Sequence, residues 1–205
     1  MIVVLGVSIF QQLTGVEILM YYAPQMLNDS GFENRTQALG INFAMGVLKT
    51  LVVFAAAKIL DQSYGGRRPM LLVGFFGMMV SNIIMAIGFS VGSVPGLNVF
   101  GMFLFVAFFS IGPGPIAWLL CSEILPTTYR AKGMVVACST NRFCSFVVTM
   151  LFLTASDSLS PAHVFGFLAA TCALSCLFVV SFVPETKGKS LEEMSAYFRA
   201  ICTET

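Results

Sequence analysis

The sequence has 205 residues, of which 57% are hydrophobic and 10% charged, with a formal net charge of +1 at neutral pH. Its mean hydropathy is +0.88, and a water-soluble domain of this composition would aggregate. The few basic residues are divided among short loops, so they form no continuous face for a nucleic acid. The composition therefore indicates an integral membrane protein.

Hydropathy predicts an all-α fold, a bundle of six transmembrane helices over residues 1–183. Each predicted span can cross a hydrocarbon core of roughly 30 Å. Residues 1–24 are predicted to be a retained helix, because a cleavable signal peptide would be shorter and would begin with basic residues. The six spans cover about residues 1–24, 38–60, 70–91, 98–121, 134–156 and 163–183.

A cytoplasmic tail over residues 184–205 follows the last span. Within it, Ser190 and Glu193 form the pattern of a capping box, which predicts a short helix. Leu191, Met194 and Phe198 would lie on one side of that helix, so we expect it to dock under the bundle, with a plain surface helix as the alternative.

The cations are distributed unevenly between the two sides of the predicted bundle. Eight of the eleven Lys and Arg residues fall in one set of loops, whereas Arg35 alone lies in an opposite loop. The positive-inside rule then places both termini in the cytoplasm, and we expect the membrane to be the plasma membrane. The eight are Lys58, Arg67, Arg68, Arg130, Lys132, Lys187, Lys189 and Arg199.

Polar and ionisable residues interrupt otherwise apolar spans. Side-chain amides both donate and accept hydrogen bonds, so Gln11 and Gln12 suit a ligand rich in hydroxyl groups, although they could instead bond to neighbouring helices. Each of Glu17, Lys49 and Arg142 costs roughly 2.5–3.5 kcal/mol at a helix centre if it is unpaired. We therefore expect these three to form one cluster at a cavity, with a purely structural ion network as the alternative.

The stretch from Gly112 to Gly133 begins as an apolar helix broken by two prolines and ends with an acid, a third proline, an arginine and a lysine. Because a helix in lipid tolerates Pro113 and Pro115 only where other groups satisfy the freed carbonyls, the break indicates a substrate pathway. Trp118, the only tryptophan, lies in the middle of this span, which favours a position in the cavity over an interfacial anchor.

Four motifs in order resemble the sugar porters of the major facilitator superfamily. The stretch Gly112–Gly133 resembles their tenth helix, with G-P-x-P-x-x-W followed by S-E-x-x-P-x-x-x-R-x-x-G. Gln11–Gly15 with Tyr21 and Tyr22 resembles their seventh helix, Asp61 with Gly66–Arg68 the loop after the eighth, and Pro184–Gly188 the segment closing the twelfth. The resemblance implies the C-terminal half of a twelve-helix carrier, whose N-terminal six-helix half would be its partner.

The same resemblance assigns roles to individual residues. An extracellular gate is implied at Tyr21 and Tyr22, for which interfacial packing is the alternative. Substrate binding is implied at seven residues: Gln11, Gln12, Glu17, Lys49, Trp118, Asn141 and Arg142. A cytoplasmic gate of salt bridges is implied near the inner helix ends. Its residues are Asp61, Arg67, Arg68, Glu123, Arg130 and Glu185.

Further matches resemble the plant polyol and monosaccharide proton symporters. They are Glu17, Val47–Thr50 with Lys49, Phe109–Gly112, and Asn141 with Arg142. The resemblance implies transport of a polyol, cyclitol or monosaccharide by alternating access, coupled to protons that bind an acid in the N-terminal half. A facilitative uniporter, a non-transporting sugar sensor and a half-length chain that assembles with a partner half are the alternatives.

The sequence predicts neither an enzyme nor a cofactor site. The six cysteines show no paired metal spacing, and the single histidine, His163, lies at the boundary of a span. We therefore expect no metal, and the expected partners are a small sugar or polyol, a proton, the lipid bilayer and the other six-helix half.

Overall fold

The computed structural model describes residues 1–20, 23, 35–61, 65–92, 94–158 and 160–188. Seven α-helices have both ends within these ranges, and a further helical stretch covers residues 16–20. The seven are α1 (Ile2–Leu13), α2 (Arg35–Asp61), α3 (Arg67–Ser90), α4 (Pro95–Ile111), α5 (Pro113–Ile124), α6 (Arg130–Ser158) and α7 (Pro161–Phe182).

Six helical spans in the described part of the chain are long and apolar enough to cross a membrane. The first continues α1 to Met20, and α4 and α5 together make the fourth, Pro95–Ile124. The predicted six-helix bundle is thus confirmed. The tail helix predicted around Ser190 lies outside the described residues.

Helix α3 is the centre of the packing. It lies along α7 on one side and α4 on the other, and Phe89 of α3 stacks on Phe165 of α7 with ring centroids 5.5 Å apart. On the other side, Phe108 of α4 fills the space where a side chain at Gly77 would begin. Helix α1 packs against α5, α6 and α7, whereas α2 packs mainly against α4.

Two spans bury little of their surface inside the bundle. Only 11% of the apolar window in each of α2 and α6 is buried, and large side chains such as Phe43, Phe54 and Phe143 are exposed. Such a surface would cause aggregation in water, but it is stable against lipid tails or another apolar helix.

The first span is broken at Gly15. Its backbone φ is +86°, a conformation that residues other than glycine adopt only at an energetic cost. The chain is helical again over residues 16–20. The carbonyl oxygen of Leu13, released by the break, accepts a hydrogen bond from Thr171 Oγ1 of α7 at 3.0 Å. The break is therefore a defined feature of the bundle, with a freed backbone group satisfied by a neighbouring helix.

The second break separates α4 from α5 at Gly112. Helix α3 approaches it closely, because Pro113 Cδ lies only 2.3 Å from the position that a Cβ at Gly74 would take. Gln11 of α1 meets the break from the other side, where its Nε2 donates to the carbonyl oxygen of Pro113 at 2.7 Å. The predicted proline break is present, and Gln11 links it to the first span.

Candidate functional site

A cavity of about 370 Å³ lies beside both helix breaks. Six of the seven predicted substrate residues line it, and Asn141 does not. Its walls come from the first span, α2, the α4–α5 break and α6. The lining residues are Gln11, Gln12, Val16, Glu17, Met20, Lys49, Val53, Phe109, Ser110, Gly114, Pro115, Trp118 and Arg142.

Sequence reasoning did not select several apolar residues of this wall. Met20 follows the predicted site residue Glu17 by three positions, and Val53 follows Lys49 by four. Residues three or four apart share one face of a helix, so this spacing is the signal that would have identified Met20 and Val53, whereas Val16 has no such signal. Together with Trp118 they give the cavity an apolar surface beside its amides and charges.

Three amides form a hydrogen-bonded chain between α1 and α6. Asn141 Nδ2 donates to Gln11 Oε1 at 2.8 Å and to the carbonyl oxygen of Ser8 at 3.0 Å. Gln12 Nε2 in turn donates to Asn141 Oδ1 at 2.9 Å. Asn141 is fully buried, so it lies one layer behind the cavity and holds the glutamines from there.

One acceptor in this network has no partner among the described residues. This acceptor is Oε1 of Gln12. The atom is buried, and Gln12 lines the cavity. A buried carbonyl oxygen without a hydrogen bond costs about 1–3 kcal/mol. A ligand hydroxyl or a water molecule that donates to this atom would remove that cost.

The ionisable residues form a pair and a separate cation. Arg142 Nη1 lies 3.1 Å from Glu17 Oε1, and Arg142 Nη2 donates to Asn141 Oδ1 at 2.6 Å. Lys49 lines the same cavity, but within the described ranges it has no ion pair; its Nζ lies 5.8 Å from the centroid of the Phe109 ring. The prediction that Glu17, Lys49 and Arg142 form one cluster is therefore wrong for Lys49, because only Glu17 and Arg142 are paired. Lys49 stands apart because α2 packs against α4, which carries Phe109, rather than against α1 and α6.

This arrangement gives a first prediction about coupling. In a twelve-helix carrier containing this chain, the effects of Glu17→Gln and Arg142→Met on the melting temperature should not add, because either change removes the same ion pair. The effects of Glu17→Gln and Lys49→Met should add. Since Arg142 is 56% exposed, we expect a coupling energy no larger than about 1 kcal/mol. Additivity in the first pair, or coupling in the second, would contradict the observed pairing.

On one side of the bundle, the ends of three elements are joined by a group of residues that we call the inner cluster: Arg67, Glu123, Glu185 and Thr186. Arg67 Nε and Nη2 donate to Glu123 Oε1 at 3.1 and 2.9 Å, and Thr186 Oγ1 donates to Glu123 Oε2. The side chains of Arg67 and Glu123 are each about one fifth exposed. Together with Thr186, this ion pair connects the start of α3, the end of α5 and the segment after α7.

Glu185 binds backbone rather than another side chain. Its carboxylate accepts from the backbone N–H groups of Arg67 at 2.9 Å, Arg68 at 3.2 Å and Lys187 at 3.0 Å. The first two are free donors at the start of α3, where a negative charge also interacts favourably with the helix dipole. Gly66 permits this approach, since a Cβ there would lie 2.6 Å from Glu185 Oε2.

The remaining predicted gate residues lie elsewhere. Arg130 does not join the inner cluster: its Nε donates to the carbonyl oxygen of Leu125 at 3.4 Å, and within the described ranges it has no ion pair. Its position at the start of α6, just after the turn that follows α5, explains this local contact. Arg68 donates to the carbonyl oxygen of Val180. Tyr21 and Tyr22 lie outside the described residues, as does the side chain of Asp61.

Six apolar spans, two broken helices and a polar cavity at the breaks define one half of a membrane carrier. The chain matches the family model described as "Sugar (and other) transporter" over residues 1–198, and it belongs to that family. This is a family of transporters, not of enzymes, as the sequence predicts.

Two curated relatives from Arabidopsis thaliana illustrate the similarity. Probable polyol transporter 4 is 36% identical over 203 residues, covering 97% of this chain and 38% of the relative. D-xylose-proton symporter-like 1 is 34% identical over 192 residues, covering 93% of this chain and 38% of the relative. The chain thus spans about two fifths of the length of these proteins.

A solved structure has the same helical arrangement. The inward-open xylose transporter XylE from E. coli superposes with a TM-score of 0.82 at 29% identity, over 96% of this chain and 42% of that one. The predicted fold, half of a major facilitator superfamily carrier, is therefore confirmed.

Proposed function

We propose that this chain forms the C-terminal half of a twelve-helix carrier that moves a polyol, cyclitol or monosaccharide across a membrane by alternating access, in symport with protons. The names of the two plant relatives, probable polyol transporter 4 and D-xylose-proton symporter-like 1, support this substrate class. The partner of the chain is then a second six-helix half.

The cavity suits such a substrate. Its volume of about 370 Å³ falls within the range of small-molecule sites, roughly 300–1,000 Å³. Sugars present hydroxyls at their edges and C–H groups on their faces, which match the amides of Gln11 and Gln12 and the aromatic face of Trp118. Substrate sites beside broken helices are also the usual arrangement in secondary transporters.

One observation carries the proposal: Gln12 lines the cavity, and its buried acceptor Oε1 has no partner within the described part of the chain. An apolar ligand would leave its desolvation cost uncompensated, whereas a hydroxyl that donates to it would restore the missing hydrogen bond. The atom therefore favours a hydroxylated ligand over a hydrophobic one.

The proton would bind outside this half. Among the residues that the structure describes, Glu17 is the only carboxylate in the lining of the cavity, and Arg142 pairs with it. An acid in the N-terminal half is the better candidate for the coupling site.

We further propose that both termini lie in the cytoplasm and that the carrier acts at the plasma membrane. The excess of Lys and Arg on the side of the inner cluster supports the orientation. In this orientation Tyr21 and Tyr22 form the extracellular lid, and the inner cluster lies at the cytoplasmic gate with Asp61 and Arg130 near it. Protease access to a tag after Thr205, in sealed vesicles of known orientation, tests the arrangement.

Uptake by proteoliposomes that contain the twelve-helix carrier tests the function. The candidate substrates are D-xylose, D-glucose, D-sorbitol and myo-inositol, each measured with and without an inward proton gradient. We expect uptake of at least one compound to rise when the gradient is applied. Uptake that is the same with and without the gradient would indicate a uniporter. Binding without uptake would indicate a sensor.

A second prediction concerns Gln12 itself. Gln12→Ala removes an amide that can bond to a substrate hydroxyl, so the apparent affinity in the same assay should fall about three- to tenfold. The matched control is Gln37→Ala, which makes the same change at an exposed site on α2, outside the cavity. Equal uptake kinetics in the two variants would remove Gln12 from the binding site.

A further inference from the structure

Asn141 has an unusual place in the site, because it contacts the cavity only through other residues. It is fully buried on α6 and makes four hydrogen bonds to three side chains and one backbone carbonyl. Its partners are the carbonyl oxygen of Ser8, Gln11 Oε1, Gln12 Nε2 and Arg142 Nη2.

The direction of every hydrogen bond in this network is fixed from its ends. The carbonyl oxygen of Ser8 can only accept, so the end of the Asn141 amide that faces it must be the NH₂ group. The Arg142 guanidinium can only donate, so the end facing it must be Oδ1. These two hydrogen bonds require the same orientation of the Asn141 amide, and each would be lost if its oxygen and nitrogen were exchanged.

The orientation of Asn141 then sets that of both glutamines. Because Oδ1 of Asn141 faces Gln12, Gln12 must turn its own NH₂ group toward it, which leaves Oε1 as the unpartnered atom. Gln11 donates to the carbonyl oxygen of Pro113 and accepts from Asn141, so both ends of its amide are already bonded. Within the described part of the chain, Gln12 Oε1 is therefore the one terminal amide atom of the two glutamines that has no hydrogen bond, and it is an acceptor.

We propose that Asn141 is a positioning residue through which the site selects ligands whose hydroxyl groups donate a hydrogen bond. It fixes the Gln12 amide so that Nε2 bonds to Asn141 and Oε1 is left to accept, and a substrate is recognised by a hydroxyl proton that it donates to Oε1. This proposal rests on the proposed transport of sugars or polyols, and it adds the chemical feature by which that site selects its substrate.

Two substitutions of Asn141 separate positioning from a general structural role. Aspartate offers only acceptors, so it loses the bonds to Ser8 and Gln11, yet Gln12 can still donate to it and keeps its orientation. Leucine has a similar size and no hydrogen bonds, so Gln12 becomes free to turn either end of its amide toward the cavity. Both changes break contacts, but only Asn141→Leu should alter what the cavity presents.

The probes are D-xylose and its deoxyfluoro analogues, in which one hydroxyl at a time is replaced by fluorine, a group that cannot donate a hydrogen bond. Binding to the purified twelve-helix carrier is measured by competition. At one ring position, wild type and Asn141→Asp should bind the fluoro analogue about three- to tenfold more weakly than D-xylose, and in Asn141→Leu the two affinities should become nearly equal. The same discrimination in Asn141→Leu as in wild type would overturn the proposal.

A stability cycle tests the same contact without any substrate. Melting temperatures are compared for Asn141→Leu, Gln12→Ala, the double variant and wild type. We expect the double variant to be more stable than the sum of the two single losses predicts, because both changes remove one shared hydrogen bond. Strict additivity would overturn the positioning role. If wild type bound no sugar at all, the proposed function would fail while this cycle still decided the role of Asn141.

Discussion

Gly15→Ala is expected to destabilise a twelve-helix carrier that contains this chain by about 2–4 kcal/mol. Gly15 has φ +86°, where an alanine costs about 1–2 kcal/mol. A Cβ at this position would also lie 2.7 Å from Leu168 Cδ1 of α7, so the packing of that side chain would have to change. The melting temperature of the purified carrier measures the effect, and transport should fall with it, because Gln12 and Glu17 lie on opposite sides of the break.

Gly46→Ala is the matched control. Gly46 lies within α2, has no φ in the left-handed region, and would place its Cβ in open space. Alanine is a better helix former than glycine by about 0.5–1 kcal/mol, so this change should leave the melting temperature unchanged or raise it. Equal losses in the two variants would show that the break at Gly15 does not require a glycine.

Hydropathy was sufficient to predict the six spans, because each is a long run of residues with few charges. It was less informative about where a span is interrupted. The fourth predicted span, residues 98–121, is two helices that meet at Gly112, and together they extend over Pro95–Ile124. Proline and glycine mark the break, but the close approach of Gly74 that accommodates it depends on another helix and cannot be read from the local sequence.

The cavity was predicted well where the residue type itself carries the information. An amide or a charge in an apolar span must face a partner or water, and Gln12, Glu17 and Lys49 all line the cavity for this reason. What spacing cannot supply is which helices are neighbours. Lys49 faces Phe109 because α2 packs on α4, and Asn141 is buried because α6 packs directly against α1.

The inner cluster shows the same limit at the helix ends. Sequence identified Arg67, Glu123 and Glu185 as charges in short loops, for which salt bridges were the natural expectation. In the structure, Glu185 instead binds the free N–H groups at the start of α3. A capping carboxylate supplied by a distant segment has no local pattern, since it depends on how the chain after α7 returns to α3.

The second large effect is expected at this cluster. The double change Arg67→Met with Glu123→Gln removes the ion pair between the start of α3 and the end of α5. Charged hydrogen bonds that are partly buried contribute about 1.5–3 kcal/mol, and 1.4 kcal/mol corresponds to a tenfold change in an equilibrium constant. If the pair stabilises the state closed to the cytoplasm, as proposed, the ratio of inward-open to inward-closed carrier should rise at least about tenfold.

Distances between spin labels across the cytoplasmic face of the reconstituted carrier measure that ratio. Lys58→Met is the matched control. Lys58 is an exposed cation in the last turn of α2, and it takes no part in the inner cluster. The control should leave the distance distribution unchanged, since a single exposed charge contributes little. A distribution in the double variant that matches wild type would show that the Arg67–Glu123 pair holds this half together without biasing the gate. A shift in both variants would instead show that the effect does not depend on the Arg67–Glu123 pair, because Lys58→Met breaks no contact of the inner cluster.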